Sequence, residues 1–321
     1  MSDINKIFMK RYIFDINKTK AKYLVLDLTS FRMREEENGP MEDPTILHND
    51  KCKTTELWLR RINAGPFIMG SPIQEIGHKR GENQHIVLLT KPFYIGVFEI
   101  TQKQYELLTE EDPSTYKGWT RPVESVSYYM IRGKDKGSQW PANDEVDDDS
   151  FLGMLRARSG QRFDLPTEAQ WEMACKAGTI TAWNDGTDIT DEMDCENLKS
   201  LGRFSYNRGD GLSKYEEHAE VGSYMPNAWG LYDMHGNVWE WCLDGCTLFT
   251  IKCAAENFLI NPVGISEEEG KGIFARIAKG GSWNIGAHNS RSASHFYNFP
   301  GDIFKGFGFR VVLNVNSEEE D

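Results

Sequence analysis

The chain has 321 residues, 39% of them hydrophobic and 12% aromatic, enough to bury a sizeable core in one large domain or two small ones. A formal charge of −13 argues against nonspecific nucleic-acid binding and against attachment to an anionic membrane surface. The six cysteines (Cys52, Cys175, Cys195, Cys242, Cys246, Cys253) form no CxxC pair, so free thiols are expected rather than a zinc knuckle or a disulfide framework.

In chain order, Met1-Ser2-Asp3-Ile4-Asn5-Lys6 leads into no apolar stretch of signal-peptide length, and nothing approaches a membrane span. The chain as written is expected to be soluble and cytoplasmic, with a phage particle or surface display as the other settings. Leu24, Leu26 and Leu28 alternate with Val25, Asp27 and Thr29, which predicts a strand, with residues 12–16 as its expected partner. A Glu-rich loop at Glu35 to Glu37 and the Gly39-Pro40 break follow. Strands are expected at residues 57–62 and 67–69, split at Ala64-Gly65-Pro66.

Helices announce themselves by their caps. Thr101-Gln102-Lys103-Gln104 and Thr167-Glu168-Ala169-Gln170 both have capping-box spacing, and Gly178 should end the second helix. A third helix is expected from Ser150 to Gly160, after an acidic stretch (Asp144 to Asp149) read as a solvated loop. Beyond Gly178 the chain is rich in Gly, Asn and Asp, until Phe309, Val311, Leu313 and Val315 alternate as a final strand. Few helices, short strands and long irregular loops make an α+β protein, and loops this long are usually held by function or by metal. The acidic end, residues 316–321, reads as a tail.

The stretch between Gly280-Gly281-Ser282-Trp283 and Gly308-Phe309-Arg310 has neither a period of 2 nor one of 3.6, and reads as loop. It nevertheless holds Phe296, Tyr297, Phe299, Phe304 and Phe307. An aperiodic loop cannot turn all of these toward one core, so some should face outward as a binding surface. The competing reading is an ordinary loop whose aromatics pack inward.

Six motifs together go beyond composition: Pro66-Phe67-Ile68-Met69-Gly70-Ser71, Phe93-Tyr94-Ile95-Gly96-Val97-Phe98-Glu99-Ile100-Thr101, Leu165-Pro166-Thr167-Glu168-Ala169-Gln170-Trp171-Glu172, the run from Asn227 through Gly236-Asn237-Val238-Trp239-Glu240-Trp241, Gly280-Gly281-Ser282-Trp283, and Gly308-Phe309-Arg310. In this order the chain resembles the formylglycine-generating-enzyme (sulfatase-modifying factor) family. The resemblance implies a C-type-lectin-like fold of the formylglycine-generating-enzyme type over residues 57–315, with residues 1–56 as an N-terminal extension. In the family's oxidases two cysteines shortly after the Gly-Gly-Ser element bind copper. Here Ile285 and Ser290 lie roughly at those places, and neither supplies the soft thiolate that Cu(I) requires. No copper is therefore expected.

Another branch that the chain resembles comprises the variable proteins of diversity-generating retroelements, in which template Asn codons are rewritten at adenines. Such codons cannot yield Lys, Glu, Gln, Met or Trp, and residues 284–307 contain none of these except Lys305. The small spacers Ala287, Ser290, Arg291, Ser292, Ala293 and Pro300 fall between chemically arbitrary residues. The resemblance makes residues 280–312 the variable region. The candidate ligand-binding residues are Trp283, Asn284, Ile285, Gly286, His288, Asn289, Ser294, His295, Phe296, Tyr297, Asn298, Phe299, Gly301, Asp302, Ile303, Phe304 and Phe307. Large aromatics would supply contact area at low entropy cost, and Ser, Asn and Gly would adapt, as in an antibody paratope.

The resemblance also implies a calcium ion held by the side chains of Asp233 and Glu240 and the carbonyls of Gly236 and Val238, and a second at Asn197 and the carbonyl of Leu198. Oxygen ligands on a tight turn suit a hard cation, whereas hydrogen-bonded turn caps would explain Asp233 and Glu240 equally. His235 is read as a satisfied structural residue. The expected function is non-enzymatic binding of a protein or other macromolecular ligand through a diversified surface. The alternatives are an oxidase or iron-dependent oxygenase of the same family and a static interaction module.

Overall fold

In the computed structural model the described residues are 14–139, 143–207, 217–246, 258–264 and 275–315. Tyr12, Cys253 and the acidic tail lie outside them. The strand expected around Leu26 forms as β1 (Tyr23–Asp27), and it is buried on both faces. Leu24 and Leu26 enter the main core, while Tyr23 and Val25 pack with Trp58, Val97, Phe98 and Tyr232. Its partners are β2 (Arg32–Glu36) and β3 (Glu56–Ile62), both antiparallel, and not the segment around residues 14–16. Glu35 and Glu36 are therefore strand residues rather than loop; their side chains sit on the outer strand of the sheet, where charge costs little. The short helix α1 (Lys51–Thr54) leads into β3.

The six-stranded sheet continues from β3 through β6 (Phe93–Gly96) and β13 (Val312–Asn314) to β7 (Phe163–Asp164), in the order β2-β1-β3-β6-β13-β7. Residues of the N-terminal extension thus complete the same sheet as the rest of the chain. A second sheet joins β8 (Trp239–Cys246), β10 (Ala275–Lys279), β11 (His295–Asn298) and β12 (Phe307–Gly308), and a third joins β4 (Gly65–Met69), β5 (His85–Leu89) and β9 (Phe258–Ile260).

Both capping boxes close. In α2 (Gln102–Thr109) the Thr101 hydroxyl accepts from Gln104 N–H and the Gln104 side chain accepts from Thr101 N–H; α5 (Glu168–Lys176) repeats this with Thr167 and Gln170. The left-handed cap of α5 falls on Ala177, one residue before Gly178, which also has positive φ. The third expected helix is α4 (Phe151–Ser159), from Ser150 to Gly160, preceded by the one-turn α3 (Tyr128–Arg132). Phe309, Val311, Leu313 and Val315 all enter the main core, although only Val312–Asn314 are strand. There Phe151 lies between Tyr105, stacked at 5.2 Å, and Phe309, edge-on at 5.0 Å. Cys52, Cys175, Cys195 and Cys242 are buried free thiols and Cys246 a half-buried one.

Candidate functional site

The site begins where β10 ends. Gly280 and Gly281 have φ of 96° and 82°, and a Cβ on Gly281 would come within 2.3 Å of Ser290 Oγ, so the turn requires glycine. Residues 282–294 then fold back against this turn. His235 Nδ1 contacts the Ser290 carbonyl at 2.8 Å and its Nε2 accepts from Asn184 N–H, which makes His235 the satisfied structural residue expected; burial lowers its pKa to about 4. Ser292 donates both its N–H and its hydroxyl to the Ala182 carbonyl. Arg291 is fully buried against Glu75 at 2.6 Å and Glu82 at 2.9 Å.

A buried ion network holds the next stretch. Lys279 Nζ reaches Glu172 (3.0 Å), Glu168 (3.4 Å) and the carbonyl of Ala293 (3.2 Å), while Lys176 also pairs with Glu172 at 2.8 Å. Burial by itself pushes the Glu172 carboxyl up, but Lys176 and Lys279 together hold it at about 2. His295 Nδ1 lies 3.0 Å from Glu168 at the edge of this network.

From His295 the chain departs from the expectation of pure loop. Residues 295–298 pair with β10 as β11, placing Phe296 opposite Ala278 and Tyr297 opposite Ile277. Phe296 is 44% exposed, Phe299 47%, Ile303 55% and Phe304 48%. Phe296 and Phe304 rest on a buried aromatic layer: Phe296 lies 5.6 Å from Trp239, and Phe304 lies 5.8 Å from Phe307, which in turn lies 5.1 Å from Trp241. Main-chain bonds fasten this outer segment, from Tyr129 N–H to the Pro300 carbonyl, from Ser125 N–H to the Phe304 carbonyl, and from Trp239 N–H to the Gly306 carbonyl.

The sequence-selected residues therefore divide. Asn284, Phe296, Phe299, Gly301, Ile303 and Phe304 are exposed, with Tyr297, Asn298 and Asp302 half-buried among them. Trp283, Gly286, Ser294 and Phe307 are buried and are corrected to scaffold: Phe307 fills the main core, and Trp283 packs edge-on to Tyr116 at 5.4 Å. Ile285 is half-buried against the same core. His288 and Asn289 engage the Glu192 carbonyl and Lys79, in the buried half of the segment rather than with the exposed aromatics. Sequence reasoning missed Tyr116 and Tyr129. Lys305 Nζ sits 5.5 Å over the Tyr116 ring, and the Tyr129 ring underlies Gly301. Tyr116 lies in an irregular stretch and Tyr129 in the one-turn α3, both far from residue 284 in sequence, with no local pattern to flag them.

The implied metal residues fit unevenly. Asp233 Oδ1 is buried without a partner among the described residues, as a cation ligand would be, and its other oxygen accepts from Gly222 N–H. Burial, with nearby Glu240, raises its pKa to about 6, and burial with Asp233 and Glu240 raises that of Glu99. Glu240 is otherwise engaged, accepting from Arg310 at 2.6 and 2.7 Å and from Trp171 Nε1 at 2.8 Å. Of the second implied pair, Asn197 Nδ2 donates to the Asp188 carbonyl, and the Leu198 carbonyl accepts from Leu201 and Gly202 N–H. Among the described residues no three His, Cys, Asp or Glu side chains converge as a metal site. No described helix is long and apolar enough to cross a membrane.

Residues 49–315 match the model of the sulfatase-modifying factor enzyme 1-like domain. The serine/threonine-protein kinase pkn1 of Chlamydia pneumoniae is 31% identical over 154 residues, 47% of this chain and 21% of that protein, so the chain spans about a fifth of that relative. The formylglycine-generating enzyme of Mus musculus is 26% identical over 79% of this chain and 74% of that protein. The inactive C-alpha-formylglycine-generating enzyme 2 of the same species is 23% identical over 88% and 90%. Among solved structures, PvdO from Pseudomonas aeruginosa (22% identity, TM-score 0.63) and Treponema denticola variable protein 1 (24%, 0.61) each cover 81% of this chain and 95% of their own. These likenesses establish the C-type-lectin-like fold of the formylglycine-generating-enzyme type.

Proposed function

The chain belongs to the sulfatase-modifying factor enzyme 1-like family, and we propose that it is a non-catalytic member that binds a protein or other macromolecular ligand through a rewritable C-terminal surface. The observation that supports this reading is the division within residues 284–307. Phe296, Phe299, Ile303 and Phe304 are all exposed, while the main chain beside them is held by bonds that involve none of their side chains. Rewriting those four positions leaves the anchors in place. A fold shared with a protein named variable protein 1 accords with this reading without carrying it.

An oxidase or oxygenase reading is favoured by one finding, the identity to the mouse formylglycine-generating enzyme. Against it stand the residues where the oxidase cysteines would fall: Ile285 is apolar, and Ser290 carries a buried hydroxyl with no partner among the described residues. The thiol of Cys175, which hydrogen-bonds Ser292, is pushed up to about 12 by burial, so it is no ready metal ligand. The proposal therefore includes no copper. It does include calcium at Asp233 with the carbonyls of Gly236 and Val238, where a cation would offset the excess of buried carboxylates over Arg310.

Sequencing the gene and its surroundings across a natural population tests the reading. Expected are a neighbouring reverse-transcriptase gene, a near-copy of the segment encoding residues 280–310 that differs at adenines, and variation concentrated at the exposed codons. A population with no near-copy repeat and no excess variation at codons 296, 299, 303 and 304 would overturn it.

A further inference from the structure

The sheet ordered β11-β10-β8-β12 ends on β11, inside the displayed segment. One side of β11 pairs with β10, and among the described residues no strand lies on its other side. An antiparallel edge strand turns the N–H and C=O groups of alternate residues outward. Outside the ladder with β10, no main-chain N–H or C=O of residues 295–298 bonds any other described residue. The next stretch of main chain differs: the carbonyls of Pro300, Phe304 and Gly306 are all taken. Phe296 is exposed, and His295, Tyr297 and Asn298 are half-buried, so solvent reaches the strand along its length. Folded proteins blunt open edges with charge, with proline or by keeping them short. The other edges here follow that rule. Arg32, Arg34, Glu35 and Glu36 lie on β2, Pro66 lies on β4, and β7, β9 and β12 are two or three residues long. β11 reads His-Phe-Tyr-Asn, with no carboxylate, lysine, arginine or proline.

We propose, resting on the reading of residues 284–307 as a binding surface, that its protein ligand supplies an extended segment which adds to β11 as a further strand. The chemistry of the edge selects this occupant. Outward N–H and C=O groups at strand spacing are complemented by another main chain in extended form, and not by a helix or an apolar face. A second copy of this chain is disfavoured, because joining two β11 edges brings together two bodies of charge −13. An extended segment of neutral or basic composition meets no such repulsion. Main-chain bonds also do not depend on which side chains rewriting installs. Strand addition would therefore supply an affinity common to the variants, while positions 296, 299, 303 and 304 supply selectivity. On an antiparallel pair the residue directly opposite lies within side-chain contact, so the ligand strand should carry an apolar or aromatic residue opposite Phe296.

Hydrogen exchange on the free full chain is the first test. Alternate amides of residues 295–298 are expected to exchange fast and the others slowly; slow exchange at all four would mean that the chain covers its own edge, and would overturn the proposal. The second test uses random peptides displayed on phage, selected on the full chain, with the most enriched peptide then synthesised. N-methylation at alternate residues of that peptide should weaken binding about tenfold, the loss of one hydrogen bond, and at the intervening residues much less. Phe296→Pro and Tyr297→Pro differ in which side of the strand loses its donor. The one that keeps a folded circular dichroism spectrum should lose the peptide; if neither folds, the methylation pattern decides alone. A peptide lost on Phe304→Ala yet indifferent to every methylation overturns strand addition and leaves the surface reading standing. A selection that enriches nothing also overturns strand addition, and variation at codons 296, 299, 303 and 304 then decides the surface reading separately.

Discussion

Truncating aromatics to alanine across residues 296–309 should split them into two classes, and the structure sets the size of the gap. Phe307 is 6% exposed and its ring lies within 6.4 Å of those of Trp239, Trp241, Phe296 and Phe304. Phe307→Ala leaves a hole in a rigid aromatic layer and should cost about 3–5 kcal/mol; the fully buried Phe309 should behave alike. Phe304 is 48% exposed. Full burial of such a side chain is worth about 1.5–3 kcal/mol, so the buried half of Phe304 contributes about 1 kcal/mol, and water fills the space that alanine leaves. Phe296, Phe299 and Ile303 should fall in the same low range. Urea unfolding followed by circular dichroism, with slopes compared to confirm an unchanged mechanism, measures each difference. If the four exposed positions lose as much as Phe309, the segment is core and cannot be a rewritable surface.

Asp244 accepts N–H bonds from Glu168 and Gly264, and burial with nearby Glu168 raises its pKa to about 7. The folded state thus holds its proton more tightly than the unfolded chain. Its stabilising contribution is present below the unfolded pKa and is lost as pH rises from about 4 to 7, a loss on the order of 4 kcal/mol. Melting temperature against pH should fall over that window, and Asp244→Asn should flatten the fall. If calcium binds at Asp233, added calcium should raise the melting temperature, by about 2.7 kcal/mol of stability at one hundred times the dissociation constant. Asp233→Ala should remove that response, and an equal response in Asp233→Ala would place the ion elsewhere. Titration of the reduced protein with Cu(I) should show no tight one-to-one binding, and a cysteine-containing sulfatase-type peptide should remain unmodified; the opposite result would restore the oxidase reading.

The parts legible in sequence were those with a local physical signature. Thr101 and Thr167 announced their helices because a capping box is a contact within four residues. Phe309, Val311, Leu313 and Val315 announced a core face by alternation. The partner of β1 was not legible, since pairing depends on which strand folds back and Leu26 looks the same beside either. Within the site, exposure was legible only in bulk. That Phe307 is buried and Phe304 exposed follows from β12 running parallel to β8 beneath Trp239, a contact over 68 positions away. Glu240 shows the same limit: its neighbours in sequence suggest a cation turn, and its ion-pair partner, Arg310, lies 70 positions further along the chain.

How an irregular segment can keep its shape while its side chains change is a question of where its free energy resides. A loop held by its own side chains would lose its shape with each rewriting. Here the holding groups are main-chain carbonyls of Pro300, Phe304 and Gly306, bonded by N–H groups of Tyr129, Ser125 and Trp239 from outside the segment. Every residue type has a carbonyl, so these bonds are indifferent to what is displayed. The side chains that do hold the segment, Arg291 to Glu75 and Glu82 and the hydroxyl of Ser292, are buried, and removing one partner of such a buried pair costs several kcal/mol. Lys279 adds a cation whose two carboxylate partners lie on α5, outside the segment altogether. Specific polar chemistry is thus concentrated at positions 290–293 and generic main-chain bonding at 299–306. That ordering allows aromatic, aliphatic or polar groups to stand at 296, 299, 303 and 304 on one unchanged frame.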